Sequence, residues 1–237
     1  QASKFWSWVV EQKCTWFSAV PTILSYLMNI EEDKNLKSNL ERVRFGRSAS
    51  AALPPALHKA FEERFGIKIV ETMGITETAS PLLSNPIDPK LHKLGSPGIA
   101  YGNEVRIADA EGNLANLDSE DEIQVRGLNL MQGYLKNPKA TNEAFTPDGW
   151  YRTGDLGTMD ADGYVFVTGR LKELIIKGGE NISPREIDDV LYRHNNVMEA
   201  AAFPIPDNHY GQNVAAAIAP RPGENIDESE IRKLCLD

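Results

Sequence analysis

The sequence predicts a mixed α/β and α+β fold, and three regions of the chain carry that prediction. Residues 1–95 alternate strands, loops and helices, which is the rhythm of a doubly wound parallel sheet. Residues 96–170 contain short strands between turn signals, typical of a small antiparallel β unit, which we expect to be barrel-like. Residues 171–237 follow the order strand, helix, strand, strand, helix, which indicates a small α+β unit. We therefore predict three domains with these bounds.

The α/β region contains three apolar strand candidates and one clear amphipathic helix. The strands are predicted at 15–20, 43–46 and 67–70. The helix begins after Pro54 and ends at Gly66, because proline is favoured in a first helical turn and glycine just past the last.

The β region is predicted from its alternating strands and its Asp-Gly turns. Strands are expected at 104–108, 122–126 and 164–168. The turn at 148–149 precedes one alternating segment, and the turn at 162–163 closes a hairpin.

The α+β region is predicted to begin with a short strand and a capped helix. Ser183 stands at the cap position, a proline follows it, and Glu186 comes three residues after the cap, which predicts a capping box and a helix over 184–193. Strands are expected at 197–203 and 213–219.

Composition limits the classes of function and compartment. The 237 residues carry a formal net charge of −9, so a nucleic-acid surface is not expected to be the main function. No run approaches the ~18 to 20 apolar residues of a membrane span. Cys14 and Cys235 form no disulfide framework, which favours a reducing compartment, and we expect the cytoplasm.

Oligomeric state cannot be read from the sequence. The chain begins with Gln1 and stops within a helix that Asp227 caps, so we expect it to be a piece of a longer protein.

Several common sites are not expected. The four histidines share no spacing with one another or with the cysteines, which argues against zinc. The Asp-x-Asp-Gly run at 160–163 lacks the further ligands of a calcium loop. Neither a serine-hydrolase elbow nor a Walker-type glycine loop occurs.

Two loops follow predicted parallel strands and are candidate binding loops, because ligands in such sheets bind beyond the carboxyl ends of strands. The loop at 71–80 holds Thr72, Thr76 and Glu77 beside a glycine. Hydroxyls and loop amides can face phosphate oxygens, and a carboxylate can hold Mg²⁺. The alternative is an ordinary loop with a capping threonine. The loop at 47–52 consists mainly of small residues, which permit close approach of the backbone to a ligand, or simply form a tight turn.

Two charged residues and a glycine pair are further candidates. Asp155 can accept both hydroxyl protons of a ribose in charge-assisted hydrogen bonds, or can form a turn before Gly157. Arg170 follows a strand and can meet a ribose or a phosphate, or can be a solvated strand end. The pair at 178–179 follows an apolar strand at 174–176 and forms a type II or I′ turn.

Three motifs closely resemble the adenylate-forming superfamily, which comprises acyl-CoA synthetases, the adenylation domains of peptide synthetases, and luciferases. They are GWYRTGD at 149–155, GRLKELI at 169–175 and GGENISPRE at 178–186. The motifs occur in the order and at the spacing of that superfamily. The resemblance is closer to acyl-CoA synthetases, because Lys172 stands where peptide synthetases usually have aspartate.

The resemblance implies roles for the residues of the loop at 71–80. Thr76 is expected to contact phosphate, and Glu77 is expected to bind Mg²⁺, so these two are the catalytic candidates. Thr72, Met73 and Gly74 are expected to line the nucleotide site. Met73 departs from the family, which often has an aromatic residue that stacks on adenine.

The resemblance also implies roles outside that loop. Ser50 and Ala51 are expected to line the adenine and acyl pocket, and Ser50 stands where a glycine is usual. Asp155 is similar to the ribose-binding aspartate of the family, and Arg170 to the arginine that meets ribose or phosphate.

The resemblance further implies domain alternation in the C-terminal part. Lys172 is similar to the pivot about which a mobile C-terminal domain turns. Gly178 and Gly179 are similar to the turn past which coenzyme A reaches the site. Residues 171–237 are thus expected to be a truncated form of that mobile domain.

The implied function is ATP-dependent activation of a carboxylic acid to an acyl-adenylate, followed by transfer to coenzyme A with release of AMP. The implied cofactors are ATP, Mg²⁺ and coenzyme A, and fatty acid metabolism is one setting for such chemistry. An adenylation domain that loads a carrier protein, and a non-catalytic module that binds AMP or acyl groups, remain alternatives.

Two parts of the family pattern are not found in the chain. They are the upstream phosphate loop with its lysine and the downstream catalytic lysine, so we expect these 237 residues alone to be inactive. The acid is not determined by the sequence. The segments 83–86 and 92–97 are similar to those of oxalate-type and other short-acid CoA ligases.

Overall fold

The computed structural model describes residues 2–30, 36–79 and 81–236. The α-helices, in chain order, are α1 (Phe5–Glu11), α2 (Pro21–Leu27), α3 (Leu36–Asn39), α4 (Pro55–Phe65), α5 (Pro138–Ala144), α6 (Pro184–Leu191) and α7 (Glu228–Leu234). The strands are β1 (Trp16–Ala19), β2 (Phe45–Ser48), β3 (Ile69–Gly74), β4 (Pro81–Ser84), β5 (Ile99–Ala100), β6 (Glu104–Ala108), β7 (Asp121–Arg126), β8 (Tyr151–Met159), β9 (Val165–Arg170), β10 (Ile175–Lys177), β11 (Glu180–Ile182), β12 (Val197–Asp207) and β13 (Gly211–Pro220).

The first sheet has the order β1-β2-β3-β4-β5. Strands β1, β2 and β3 are parallel, as the alternating pattern predicts, whereas β4 and β5 pair antiparallel at the other edge. One face packs on an aromatic core of Trp6, Phe17, Phe61 and Phe65. Helix α4 supplies two of these rings and ends at Gly66, whose φ of 71° is the left-handed geometry expected past a helix end. The predicted α/β class is therefore confirmed.

A half-buried carboxylate joins α4 to β3. Glu62 accepts hydrogen bonds from His58 Nε2 (3.1 Å), Lys68 Nζ (2.6 Å) and the backbone nitrogen of Ile69 (2.9 Å). Burial acts to raise the pKa of Glu62, but these hydrogen bonds outweigh it and lower the pKa to about 2. Glu62 therefore stays ionised at neutral pH and stabilises the junction.

The second sheet has the order β6-β7-β8-β9, and β6 pairs antiparallel with β7. Strand β6 lies where the alternation predicts it. The turn before β9 is also as predicted, because Gly163 donates from its backbone nitrogen to Asp160 O at 3.0 Å with a φ of 81°. Within the described residues both edge strands of this sheet are unpaired with each other. The unit that was expected to be barrel-like is therefore an open four-stranded sheet.

The third sheet has the order β11-β10-β13-β12 and packs with α6 and α7 around Leu191, Val197 and Ile231. The predicted cap of α7 is present, because the Asp227 carboxylate accepts from Ser229 N at 2.7 Å. The capping box predicted for α6 is wrong: Ser183 Oγ donates to Thr168 O at 2.6 Å instead.

Two bounds in this region also differ from the predictions. Helix α6 ends at Leu191 rather than at residue 193, and β12 continues past residue 203 to Asp207 because β13 pairs with it along its length.

The chain folds as two compact units. The first is 1–153 with 158–167, and the second is 154–157 with 168–237. The three-domain division drawn from the sequence stays a prediction. Among the described residues, no helix is long and apolar enough to cross a membrane.

Candidate functional site

The loop after β2 lies at the carboxyl ends of the parallel strands, where ligands of such sheets bind. Ser50 and Ala51 are exposed there. Ser50 has a φ of 76°, a left-handed conformation that serine adopts only at a cost and glycine adopts freely. The small side chains and the tight backbone leave this loop open to a ligand.

Contacts from β3 hold the loop in place. Glu71 is 2% exposed and accepts from Leu53 N at 3.0 Å through Oε1. Thr72 Oγ1 donates to Ser48 O at 3.3 Å and accepts from Arg47 Nε at 3.0 Å. The sequence analysis assigned no role to Glu71 or Arg47, although they begin the two candidate loops, since only the register of the strands shows what each one contacts.

The threonines of the next loop differ in what they can do. Thr72 is buried and its hydroxyl already has two protein partners. Thr78 is buried, and its Oγ1 accepts from the nitrogen of Ile75 and donates to the carbonyl oxygen of Ile75. Thr76 is exposed at the start of the 3₁₀ helix Thr76–Thr78. Of the three, Thr76 is the hydroxyl that a phosphate could reach.

Met73 and Gly74 end β3 beside this loop. Met73 is half-buried and Gly74 is exposed, and the register with β4 shifts between them. An exposed glycine at a strand end admits a ligand close to the backbone. The thioether of Met73 can pack on a ring.

Glu77 is held by a hydroxyl that the sequence analysis did not single out. Tyr134 OH donates to Glu77 Oε1 at 2.8 Å and lies 3.3 Å from Tyr151 OH. Met131 N donates to the Glu77 carbonyl oxygen at 2.8 Å. Burial, together with the hydrogen bond to Tyr134, raises the pKa of Tyr151, so the Tyr151 phenol stays protonated at neutral pH. No motif in the sequence points to Tyr134. In the structure, the preceding Gly133 has no room for a side chain, since a Cβ there would lie 2.7 Å from Thr141 Cγ2.

The donor set around Glu77 fits Mg²⁺ held partly by a substrate. No cluster of three or more histidine, cysteine or acidic side chains that could hold a metal occurs within 2–30, 36–79 and 81–236. Mg²⁺ in nucleotide sites commonly takes one or two carboxylates together with substrate phosphates and water. A single positioned carboxylate beside an exposed threonine matches that pattern.

Asp155 and Arg170 lie together in the second compact unit. Asp155 is 2% exposed in β8, and Arg170 Nε lies 2.6 Å from its Oδ1, while the arginine side chain is 56% exposed. Burial raises the pKa of Asp155, and the charge and hydrogen bond of Arg170 oppose that rise. The buried Asp155 carboxylate can accept hydrogen bonds from neutral hydroxyl groups, and such a ligand brings no further charge into the site.

Lys172, Gly178 and Gly179 lie in turns on either side of β10. Lys172 is exposed, and its turn is closed by Glu173 N donating to Arg170 O at 3.0 Å. Gly178 and Gly179 join β10 to β11 with φ values of 61° and 93°, the geometry of a type I′ turn. This selects one of the two turn types that the sequence left open.

Comparison with known families identifies the class. Residues 1–135 match the family model described as AMP-binding enzyme, and residues 186–236 match the one described as AMP-binding enzyme C-terminal domain. The chain therefore belongs to the AMP-binding, adenylate-forming enzyme family, and the resemblance seen in its motifs is confirmed.

The curated relatives are CoA ligases. Sulfoacetate–CoA ligase of Cupriavidus necator is 51% identical over 235 residues, which covers 99% of this chain and 45% of that protein. Oxalate–CoA ligase of Arabidopsis thaliana is 38% identical, with 99% of this chain and 45% of that protein covered. The chain thus spans about half the length of the curated relatives it matches.

The solved structures that resemble the chain are adenylate-forming enzymes. ATP-bound MatB from Rhodopseudomonas palustris has a TM-score of 0.87 at 31% identity, over 99% of this chain and 46% of that one. The anthranilate CoA ligase AuaEII with anthranoyl-AMP has a TM-score of 0.86 at 30% identity, over 98% of this chain and 44% of that one. The predicted fold class agrees with both.

Proposed function

We propose that the chain is part of an AMP-forming acyl-CoA ligase. The enzyme would join a carboxylic acid to the α-phosphate of ATP, release pyrophosphate, and then exchange AMP for the thiol of coenzyme A. The observation that carries this proposal is Asp155, a carboxylate 2% exposed and held against Arg170 at 2.6 Å. Both residues stand in motifs that resemble those of the adenylate-forming superfamily.

Asp155 and Arg170 are proposed to bind the nucleotide. The Asp155 carboxylate would accept hydrogen bonds from the two ribose hydroxyls, which are charge-assisted and favour a planar pair of acceptors. Arg170 contacts Asp155 through Nε, so its other N–H groups remain able to donate to a ribose or phosphate oxygen.

Thr76 and Glu77 are proposed to serve the phosphates. The exposed Thr76 hydroxyl would donate to a phosphate oxygen, and Glu77, oriented by Tyr134, would hold Mg²⁺. When bound, Mg²⁺ neutralises negative charge on the phosphates as pyrophosphate leaves. Ser50, Ala51 and the end of β3 would line the adenine and acyl pocket.

The second half-reaction is proposed to use the turns around β10. Rotation about Lys172 would bring the turn at Gly178 and Gly179 to the site, so that one site serves both steps. A turn without side chains leaves room for the slender arm of coenzyme A.

The acid is proposed to be small. The relatives described above act, by their names, on sulfoacetate and on oxalate, and the segments 83–86 and 92–97 resemble those of short-acid ligases. A small acid needs a short pocket with few apolar contacts.

The test is ATP–pyrophosphate exchange by the full-length protein with acids from oxalate and sulfoacetate to long-chain fatty acids. Exchange with one acid class, and AMP plus thioester once coenzyme A is added, would support the ligase proposal. Exchange without thioester would favour the carrier-protein alternative, and AMP binding without exchange for any acid would favour a non-catalytic module. We expect the 237 residues alone to give no exchange, with the full-length protein as the positive control.

A further inference from the structure

Arg47 is a cation at the carboxyl end of β2 whose side-chain partners are hydroxyls. Its Nε donates to Thr72 Oγ1 at 3.0 Å, and one terminal nitrogen lies 3.5 Å from Ser18 Oγ. In the part of the chain that the structure describes, no carboxylate lies within ion-pair distance of it. Two other half-buried arginines of the same unit do have carboxylate partners: Arg106 pairs with Asp148, and Arg152 pairs with Glu122. A third, Arg64, donates instead to the backbone carbonyl oxygens of Met28 and Ile30.

The strands place this guanidinium near the carboxyl ends of the parallel strands, where ligands of such sheets bind. Ser18, Arg47 and Thr72 belong to three adjacent parallel strands, β1, β2 and β3. Ser18 and Arg47 face away from the aromatic core, since β1 and β2 alternate between exposed or half-buried and buried residues. Arg47 also begins the small-residue loop that we propose to line the acyl pocket.

The chemistry of the group then indicates what it binds. A guanidinium has five N–H donors in a planar fork, and at most two of them face hydroxyls here. The remaining donors suit the paired oxygens of a carboxylate or a sulfonate. A small acid with a second negative charge would lose the hydration of that charge on binding, which is costly unless a cation replaces it.

We infer that Arg47 binds the distal anionic group of a small dianionic acid, and so selects dianions over monoanions as substrates. The inference rests on the proposed function. It adds the charge of the substrate and names Arg47 as the residue that recognises this charge.

The experiment uses the full-length protein and its Arg47→Ala and Arg47→Lys variants. Kinetics of AMP and thioester formation are measured for sulfoacetate and oxalate, and for acetate as the monoanion. Arg44→Ala is the matched control, because it removes an exposed arginine three residues earlier on the same segment. Thermal unfolding and the KM for ATP report whether each variant keeps its fold and its nucleotide site.

Arg47→Ala should lower kcat/KM for the dianions about 30-fold or more, the effect of deleting a hydrogen-bonded charge partner. Its kcat/KM for acetate should change less than about threefold, and Arg47→Lys should fall between the alanine variant and wild type. Arg44→Ala should match wild type for every acid.

An equal loss for acetate and the dianions, as expected if Arg47 pairs with a protein carboxylate, would overturn the inference. So would a raised KM for ATP with an unchanged KM for the acid, which would assign Arg47 to the phosphates. A wild-type enzyme without preference for dianions would also overturn it, although thioester formation would still support the ligase proposal. Absence of exchange with every acid would instead count against the proposed function itself.

Discussion

Replacing Asp155 by asparagine separates nucleotide binding from folding. The substitution keeps the size of the side chain and one acceptor oxygen but removes the charge. Because Asp155 is 2% exposed and burial raises its pKa, the charged form is already disfavoured in the fold. Its partner Arg170 has a side chain that is 56% exposed and can turn to water. Stability should therefore change by less than about 1 kcal/mol.

The loss of AMP affinity should be larger than the change in stability. One charge-assisted hydrogen bond to a ribose hydroxyl contributes roughly 1.5–3 kcal/mol, and asparagine can replace only one of the two acceptors. Asp155→Asn should therefore weaken AMP binding about 30-fold. Arg170→Gln should cost less, about threefold to tenfold, because water competes for the hydrogen bonds of its exposed guanidinium.

Isothermal titration of the full-length protein with AMP measures the affinity, and thermal unfolding without ligand measures the stability. The pH dependence adds a check on sign. A carboxyl group with a raised folded-state pKa destabilises the fold at neutral pH, and this effect vanishes as pH falls through the folded pKa towards the unfolded value. Any stabilisation of Asp155→Asn relative to wild type should thus shrink at low pH.

The reasoning would be refuted by AMP affinity within twofold of wild type. A large loss of stability with unchanged AMP affinity would equally contradict it, because Asp155 would then be a structural partner of Arg170 and not a ligand of ribose.

Three further predictions test other parts of the chain. Tyr134→Phe removes the donor to Glu77 and should raise the Mg²⁺ concentration for half-maximal pyrophosphate exchange about tenfold. Tyr101→Phe is the control and should leave this concentration unchanged. Equal Mg²⁺ dependence of both variants would count against the positioning role of Tyr134. Glu62→Gln should lower the free energy of unfolding in urea by about 3 kcal/mol at pH 7, since the pKa of Glu62 in the folded state is lowered from 4.5 to about 2. The difference from wild type should disappear as the pH falls from 4.5 through 2. A difference that is independent of pH would show that another effect dominates. Gly178→Ala, at a φ of 61°, should slow thioester formation while leaving pyrophosphate exchange unchanged, and a parallel loss in both steps would argue against a role confined to coenzyme A.

Local signals account for the elements that the sequence predicts well. Strand β6 follows from alternation, α4 ends at Gly66 because glycine tolerates a left-handed backbone, and Asp227 caps α7 through a side chain two residues from its donor. Each of these depends on neighbours within a few residues, so composition and spacing suffice to find it.

Elements and contacts that depend on distant partners were not predicted. Ser183 has the sequence context of a capping box, yet its hydroxyl donates to Thr168 O because β9 lies within reach. Strand β12 extends to Asp207 because β13 pairs with it, although two prolines interrupt its sequence pattern. A competing tertiary hydrogen bond, or a pairing strand, outweighs the local preference in both cases.

The same division applies to the candidate site. The sequence by itself predicted the family from its motifs, the fold class from the order of its elements, and the two candidate loops from residue types that follow predicted strands. Only the tertiary structure distinguished an exposed Thr76 from the buried Thr72, oriented Glu77 through Tyr134, and left Arg47 among hydroxyls. The physical reason is that exposure and hydrogen-bond partners depend on which strands and loops fold against each other, and residues far apart in the chain decide that.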